Sequence, residues 1–307
     1  MSYNTRRLAI LALPWLVVAA LAQAPFTAPP EIDFRKADIY SEGTRMSAEV
    51  FSPKAAAGKK LPTILMAHGW GGVKASLRPD AVLFAKAGYL VVTFDYRGWG
   101  ESDARTAKIK GQTQDVREVV DPLDFGTDWL NAIHWVAGEP QCDMTRLGLW
   151  GSSFSGGLVV WAAERDPRVK ALHSQVGSLD GRFVVQGEAE RLKTYEEATK
   201  MARGEMGYPQ PGVKAIGNLK GAPIRARFID YAPVEELARA PKCAMQFVVA
   251  EKEELFDNKD HGIKAYERAL GPKKLVTVPN IKHYGIYYEA RKEAQRLALD
   301  WFDKQLK

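Results

Sequence analysis

Leu147-Gly148-Leu149-Trp150-Gly151-Ser152-Ser153-Phe154-Ser155-Gly156-Gly157 is the most informative segment of the chain. Its first four residues read as a buried strand, the next seven are small apart from one phenylalanine, and Leu158–Glu164 continues with helical composition. Strand, sharp turn and helix in that order are the context of a nucleophile elbow. A serine hydroxyl is a weak nucleophile. To react, it has to stand exposed on a tight turn, beside a base and near N–H donors that receive negative charge. Gly151, two residues before Ser153, leaves room for a strained backbone. Ser155, two residues after, is small but is not glycine, so the motif is G-x-S-x-S. A shifted frame would make Ser155 the nucleophile, but it would put Ser153 where the preceding glycine belongs. The glycine argument therefore selects Ser153. The plainer alternative is an αβ turn whose hydroxyls only cap a helix.

On both sides of this segment, short β-branched runs alternate with longer helical patterns. Strands are expected at Ile32–Ile39, Met46–Ser52, Thr63–Ala67, Tyr89–Phe94, Leu147–Trp150, Val169–Gln175, Met245–Ala250 and Leu275–Val278. Helices are expected at Ala81–Ala87, Asp115–Ala137, Ser155–Arg165, Asn258–Leu270 and Tyr287–Lys307. This order builds an α/β fold, a doubly wound, mostly parallel eight-stranded sheet covered by helices on both faces. Residues 178–239 break the alternation. They hold no convincing buried strand, they have helical composition around Gly187–Arg203, and Pro-Gly punctuation follows. That stretch is expected to be a small helical lid or a surface excursion, and its basic and acidic residues nearly cancel.

The third expected strand runs into His68-Gly69-Trp70-Gly71-Gly72, where glycines let backbone approach a reacting carbonyl. The N–H groups of Trp70 and Phe154 are the expected oxyanion donors; His68 is read as a structural histidine. In a sheet of this kind the acid and then the histidine follow the nucleophile. His283, in Pro279-Asn280-Ile281-Lys282-His283-Tyr284-Gly285, lies after the last strand and is the best base. His134 and His173 are read as packing residues, and His261 as lying on the solvent side of a helix. The acid belongs in Glu251-Lys252-Glu253-Glu254-Leu255-Phe256-Asp257. Glu253 is preferred there, but Glu254 and Asp257 stay open because order and loop context do not set the register.

Together these pieces resemble the α/β-hydrolase superfamily from about Ile32 to the end. Phe94-Asp95-Tyr96-Arg97-Gly98-Trp99-Gly100-Glu101-Ser102 is similar to its D-x-R-G-x-G-x-S turn, in which the aspartate is architectural, and the helix around Trp301-Phe302 is similar to its usual ending. The G-S-S-F-S-G-G elbow and the H-G-W-G-G loop most resemble dienelactone-hydrolase-like and Xaa-Pro-dipeptidyl-peptidase-like serine hydrolases. Carried over by motif, Ser153 corresponds to the nucleophile, Glu253 to the acid and His283 to the base. Ser155 departs from the usual elbow glycine, and glutamate stands where aspartate is commoner. Dienelactone hydrolases use cysteine, so their activity is not implied.

The chain's 307 residues, 46% hydrophobic and 26% charged, suit a globular domain. A net charge of +6 is too thin to suggest nucleic acid. Two cysteines without a C-x-x-C support neither a disulfide framework nor a zinc site, and no nucleotide-binding loop is present, so no cofactor or metal is expected. Arg6-Arg7, the apolar run Leu8–Ala22 and the small-x-small sequence Ala20-Leu21-Ala22 read as a signal peptide over 1–22. That leaves a domain at 23–307, secreted or periplasmic, without a stable membrane anchor. The expected activity is cleavage of a small-molecule carboxylic ester through an acyl-enzyme on Ser153. A Xaa-Pro peptidase, thioesterase or acyltransferase on the same triad, or a silent binding protein, are the alternatives.

Overall fold

The computed structural model describes residues 26–216 and 219–307; the expected signal peptide lies outside the described residues. Eight strands form one sheet: β1 (Ile32–Ser41), β2 (Thr44–Pro53), β3 (Leu61–Ala67), β4 (Leu90–Phe94), β5 (Cys142–Ser152), β6 (Val169–Gln175), β7 (Ala244–Ala250) and β8 (Lys273–Val278). Their spatial order is β1-β2-β4-β3-β5-β6-β7-β8. Only β2 runs against the rest, pairing antiparallel with both β1 and β4. The inner strands β3, β4 and β7 are buried along their whole length, as continuous apolar runs in a sheet covered on both sides should be.

Helices α1 (Arg78–Lys86), α2 (Pro122–Ala137), α3 (Phe154–Ala163), α4 (Gly187–Ala202), α5 (Arg225–Phe228), α6 (Gly262–Arg268) and α7 (Arg291–Leu306) follow in chain order. One apolar layer joins Phe84 of α1 to Trp301 and Phe302 of α7 beneath Ile64, Met66 and Trp150. The other joins α2, α3 and α6 to the opposite face through Trp129, Leu158 and Ala265. Burying each large side chain of this kind contributes roughly 2–3 kcal/mol. Gly148 lets α7 come close, since a Cβ there would lie 2.8 Å from the Phe302 ring. Cys142 and Cys243 are both free and buried.

The helix expected over Asp115–Ala137 begins only at Pro122. Asp121 caps it, accepting from the N–H groups of Leu123 (3.0 Å) and Asp124 (3.3 Å), and Pro122 occupies the first turn where no donor is needed. The residues before it form a hairpin, Arg105–Ile109 against Gln112–Val116, turning on Lys110 and Gly111, both at positive φ. The last helix also starts late, at Arg291 rather than Tyr287, because His283–Tyr287 forms a tighter single turn. In the 178–239 segment, α4 and α5 are accompanied by very short strands, Lys214–Ile216 with Leu219–Lys220, and Ala222–Pro223 beside Val119–Val120.

Candidate active site

The site lies at the carboxyl ends of β3, β5, β7 and β8, where loops from an open parallel sheet converge. The β5 strand stops at Ser152 and α3 starts at Phe154, so Ser153 alone makes the turn, at φ 58° and ψ −124°. A non-glycine residue held there is strained and persists only when its surroundings demand it. They do: the Ser153 N–H donates to the Gln175 carbonyl (2.9 Å), and the Ser153 carbonyl accepts from Gly156 (2.9 Å) and Ser178 (3.0 Å). The flanking glycines are required by space. A Cβ on Gly151 would sit 2.2 Å from the Ser155 carbonyl oxygen, and one on Gly157 would sit 1.9 Å from that of Ser178.

Ser153 Oγ lies 2.9 Å from His283 Nε2, and His283 Nδ1 lies 2.8 Å from Glu253 Oε2 and 3.0 Å from its Oε1. The histidine and the glutamate are buried while Ser153 is partly exposed. The two supporting loops are tied together: Glu251 N–H donates to the Val278 carbonyl (3.0 Å), and Lys252 N–H to that of Ile281 (2.9 Å). Glu253 Oε1 is held further by the N–H groups of Glu254 and Leu255. The three carboxylates of the acid loop thereby separate. Glu253 takes the imidazole, Glu254 accepts the His283 backbone N–H (2.9 Å), and Asp257 is exposed and receives the Lys259 N–H (2.9 Å).

Ser155 faces away from this arrangement. It is fully buried, and its Oγ lies 3.0 Å from the Tyr96 hydroxyl, which in turn accepts the Trp129 indole N–H (2.9 Å). The Gly69 backbone approaches Ser153 so closely that a Cβ on Gly69 would lie 3.0 Å from that of Ser153. This brings the His68–Gly72 loop beside the elbow. Phe154 opens α3, so its N–H has no carbonyl one turn behind it. The Trp70 ring packs edge-on to Phe154 (5.5 Å between centroids) and its Nε1 donates to the Gly221 carbonyl (3.0 Å).

Two cavities meet at Ser153. One, of about 340 Å³, is lined by Gly69, Ser152, Tyr287 and Arg291 among others. The second is a slot of about 30 Å³ walled by Trp70, Phe154, Phe183 and Phe256. A third cavity of about 480 Å³ lies under α4 and shares Trp70 as a wall.

The remaining histidines have other surroundings. His68 is buried, with Nδ1 2.9 Å from the Gly69 carbonyl, and burial pushes its pKa down. His173 is buried against Trp150 and bonded to two glutamine side chains. His134 is exposed rather than packed, with Nδ1 3.0 Å from Arg168. His261, expected on a solvent face, is instead buried ahead of α6. It packs on Phe256 and its Nδ1 accepts the Leu179 N–H (2.9 Å), because α6 starts four residues later than its pattern suggested. Tyr287 was not singled out in the sequence, although the Tyr284-Gly285-Ile286-Tyr287 run directly follows His283 and held the signal.

Asp95 is architectural here. It receives the Lys74 N–H (2.6 Å) and Nζ (2.9 Å) and the Glu101 N–H (3.0 Å), all within a buried turn. Among the described residues no cluster of three His, Cys, Asp or Glu side chains is placed to hold a metal ion, and no helix is long and apolar enough to cross a membrane.

Residues 42–205 match the family model described as X-Pro dipeptidyl-peptidase (S15 family). The chain is 30% identical over 278 residues to an uncharacterized 31.7 kDa protein in the traX-finO intergenic region of Escherichia coli, covering 80% of this chain and 92% of that one. It is 32% identical over 155 residues to the quorum-quenching protein AidA of Acinetobacter baumannii, covering 50% of this chain and 45% of that one. In fold it is similar to a hypothetical protein from Pseudomonas aeruginosa, with a TM-score of 0.75 and 21% identity over 92% of this chain and 96% of that one. An eight-stranded sheet of this order, with a serine on the turn after its fifth strand, agrees with that assignment: the chain is an α/β hydrolase and belongs to the S15, X-Pro dipeptidyl-peptidase family.

Proposed function

We propose that the protein is an exported serine hydrolase that cleaves small carboxylic esters through an acyl-enzyme on Ser153. The observation that carries this reading is the continuous hydrogen-bonded line Glu253–His283–Ser153, ending on a hydroxyl that opens into a cavity. In this scheme His283 Nε2 takes the Ser153 proton as Oγ attacks the ester carbonyl, and the Trp70 and Phe154 N–H groups bind the oxygen that becomes anionic. His283 then protonates the departing alcohol. A water molecule, deprotonated by the same nitrogen, attacks the acyl carbon, releases the acid and restores Ser153. Glu253 holds Nδ1–H and stabilises the imidazolium.

The ester reading is favoured over an exopeptidase by the charges around the cavity. An enzyme that removes dipeptides from a free amino terminus needs a carboxylate for the ammonium group. The carboxylate lining the cavity at Ser153 is Asp80, already held by Arg291 (2.8 Å) and Gln295 (2.7 Å). The narrow aromatic slot suits a short acyl chain, and the 178–239 segment supplies a lid over the larger space beyond Trp70.

The experiment is hydrolysis of p-nitrophenyl esters of graded acyl length beside a Xaa-Pro amide, with fluorophosphonate labelling of wild type and Ser153→Ala. Ester turnover and labelling that both vanish in the variant are expected. Labelling that persists in Ser153→Ala, or faster cleavage of the amide, overturns the reading. Export through residues 1–22 is tested by the amino-terminal sequence of the protein recovered from the periplasm or medium.

A further inference from the structure

We propose that the Tyr287 hydroxyl is a third hydrogen-bond donor to the reacting oxygens at Ser153, aimed there by a chain of buried polar groups rooted in the sheet. This rests on Ser153 being the nucleophile. Tyr287 lines the same cavity as Ser153, and its oxygen lies 2.7 Å from the Oγ of Ser152, the residue next to the proposed nucleophile. Ser152 Oγ also accepts from Gln175 Nε2 (3.1 Å). Gln175 Oε1 lies 3.2 Å from His173 Nε2, and His173 Nδ1 lies 2.7 Å from Gln246 Oε1. Ser152, Gln175, His173 and Gln246 are all at least nine-tenths buried.

The direction of this chain follows from counting protons. Burial pushes the pKa of His173 down to about 4, so at neutral pH its ring is uncharged and offers one donor and one acceptor. In one arrangement Nε2–H donates to Gln175 Oε1 and Nδ1 accepts from the Gln246 amide, turned so that its NH2 faces the ring. In the other, Nδ1–H donates to Gln246 Oε1 and the Gln175 amide is reversed. The second leaves the buried NH2 of Gln246 without a partner. The first leaves a carbonyl there instead, the better tolerated deficit in a protein interior. In the first arrangement Ser152 Oγ receives the Gln175 proton. Among the described residues, the Ser152 hydroxyl meets only Gln175 and Tyr287. Its own proton therefore goes to the Tyr287 oxygen, and the Tyr287 proton is left free to turn into the cavity that Tyr287 and Ser153 line together.

Tyr287 gives up no proton in this role. It donates a hydrogen bond to oxygen that gains negative charge as Ser153 attacks, and it loosens that bond when the anion collapses. Burial holds the phenol neutral, with its pKa pushed up to about 12, so the donor is present through the neutral range.

The test is Tyr287→Phe, assayed on the best ester of the graded series. The expected result is a kcat lower by on the order of 100-fold, with KM little changed and fluorophosphonate labelling of Ser153 still detectable. A second measurement excludes a packing role. A fluorotyrosine at 287, with a more acidic phenol, should give a kcat/KM profile that falls on the alkaline side at that phenol's pKa, a limb absent from wild type. Gln175→Glu, which turns the donor facing Ser152 into an acceptor, should lower kcat while leaving Tyr287 in place. Wild-type kcat in Tyr287→Phe overturns the proposal. So does a slow Tyr287→Phe enzyme whose fluorotyrosine counterpart shows no alkaline limb. Turnover that survives in Ser153→Ala instead refutes the underlying reading, so the two failures are told apart.

Discussion

Two turns in this molecule are built from nearly the same materials and end in opposite states. The Gly151–Gly157 elbow and the Asp95–Ser102 turn both follow a buried strand, both contain glycines that space or φ requires, and both carry buried polar side chains. In the Asp95 turn the Asp95 carboxylate and the Ser102 hydroxyl turn inward. The carboxylate takes three N–H donors, Ser102 Oγ donates to the Asp95 carbonyl (2.8 Å) and accepts the Ser47 N–H (2.8 Å), and a Cβ on Gly100 would fall 2.2 Å from Asp95 Oδ2. In the elbow the backbone is equally constrained, yet Ser153 is partly exposed and lines a cavity. On the proposed reading, reactivity comes from a polar group that the turn holds rigidly and does not satisfy internally.

The sharpest way to break that comparison is at the acid. Glu253→Gln preserves shape but removes the charge that orients His283, and kcat should fall by on the order of 10⁴-fold, while Asp257→Asn stays near wild type. Steady-state kinetics on one ester decides it; equal losses in the two variants would mean that the acid loop rearranges.

Asp95→Ala should do the reverse. It strips a partner from the buried Lys74 ammonium, which stays in contact with Glu101 (3.0 Å). Stability should drop by about 3 kcal/mol, read as a shifted urea midpoint. The rate per folded molecule, counted by fluorophosphonate titration, should hardly change. A rate loss at full stability would show that the two turns are not separate.

Acid should test two buried histidines that lie outside both turns. His173 and His261 have pKa values pushed down to about 4 by burial, against roughly 6.5 in an unfolded chain. Between those values the unfolded chain binds more protons than the folded one. The stabilisation is thus complete above roughly pH 6.5 and is lost toward pH 4, by roughly 3 kcal/mol for each residue. Urea midpoints at pH 7, 5.5 and 4 should follow that course. A stability that does not change over this range would contradict the burial of both rings.

The smallest effect belongs to Ser155→Ala. Losing the bond to Tyr96 costs about 1 kcal/mol, with labelling and kcat retained. If labelling is lost here and kept in Ser153→Ala, the frame of the elbow is wrong.

Much of this arrangement could be read from the sequence because it depends on local rules. Period and β-branching placed all eight strands, and the small residues around Ser153 marked the turn. The register within Glu251–Asp257 could not be read, since the choice depends on bonds between the loops after β7 and β8, which are 29 residues apart in the chain at the Glu254–His283 contact. The helix expected from Asp115 was begun too early: Asp115 and Val116 close a hairpin whose Lys110-Gly111 turn was a signal, and Asp121 with Pro122 marks the true start. His261 was misplaced because a single apolar period continued past the true start of α6. Tyr287 escaped notice because what matters about it is the partner of its hydroxyl, Ser152, 135 positions earlier.

The tether from the Trp70 indole to the Gly221 carbonyl has an evolutionary consequence. The residue that walls all three hollows also sits in the glycine loop against the elbow, and its far end is moored to the inserted segment. Selection for a new substrate through that segment pulls on the same loop that reaches the reaction centre. Descendants of this enzyme cannot change taste and keep pace independently unless they first cut this mooring. A chimera that carries a foreign insertion will need a backbone carbonyl placed where that of Gly221 stands.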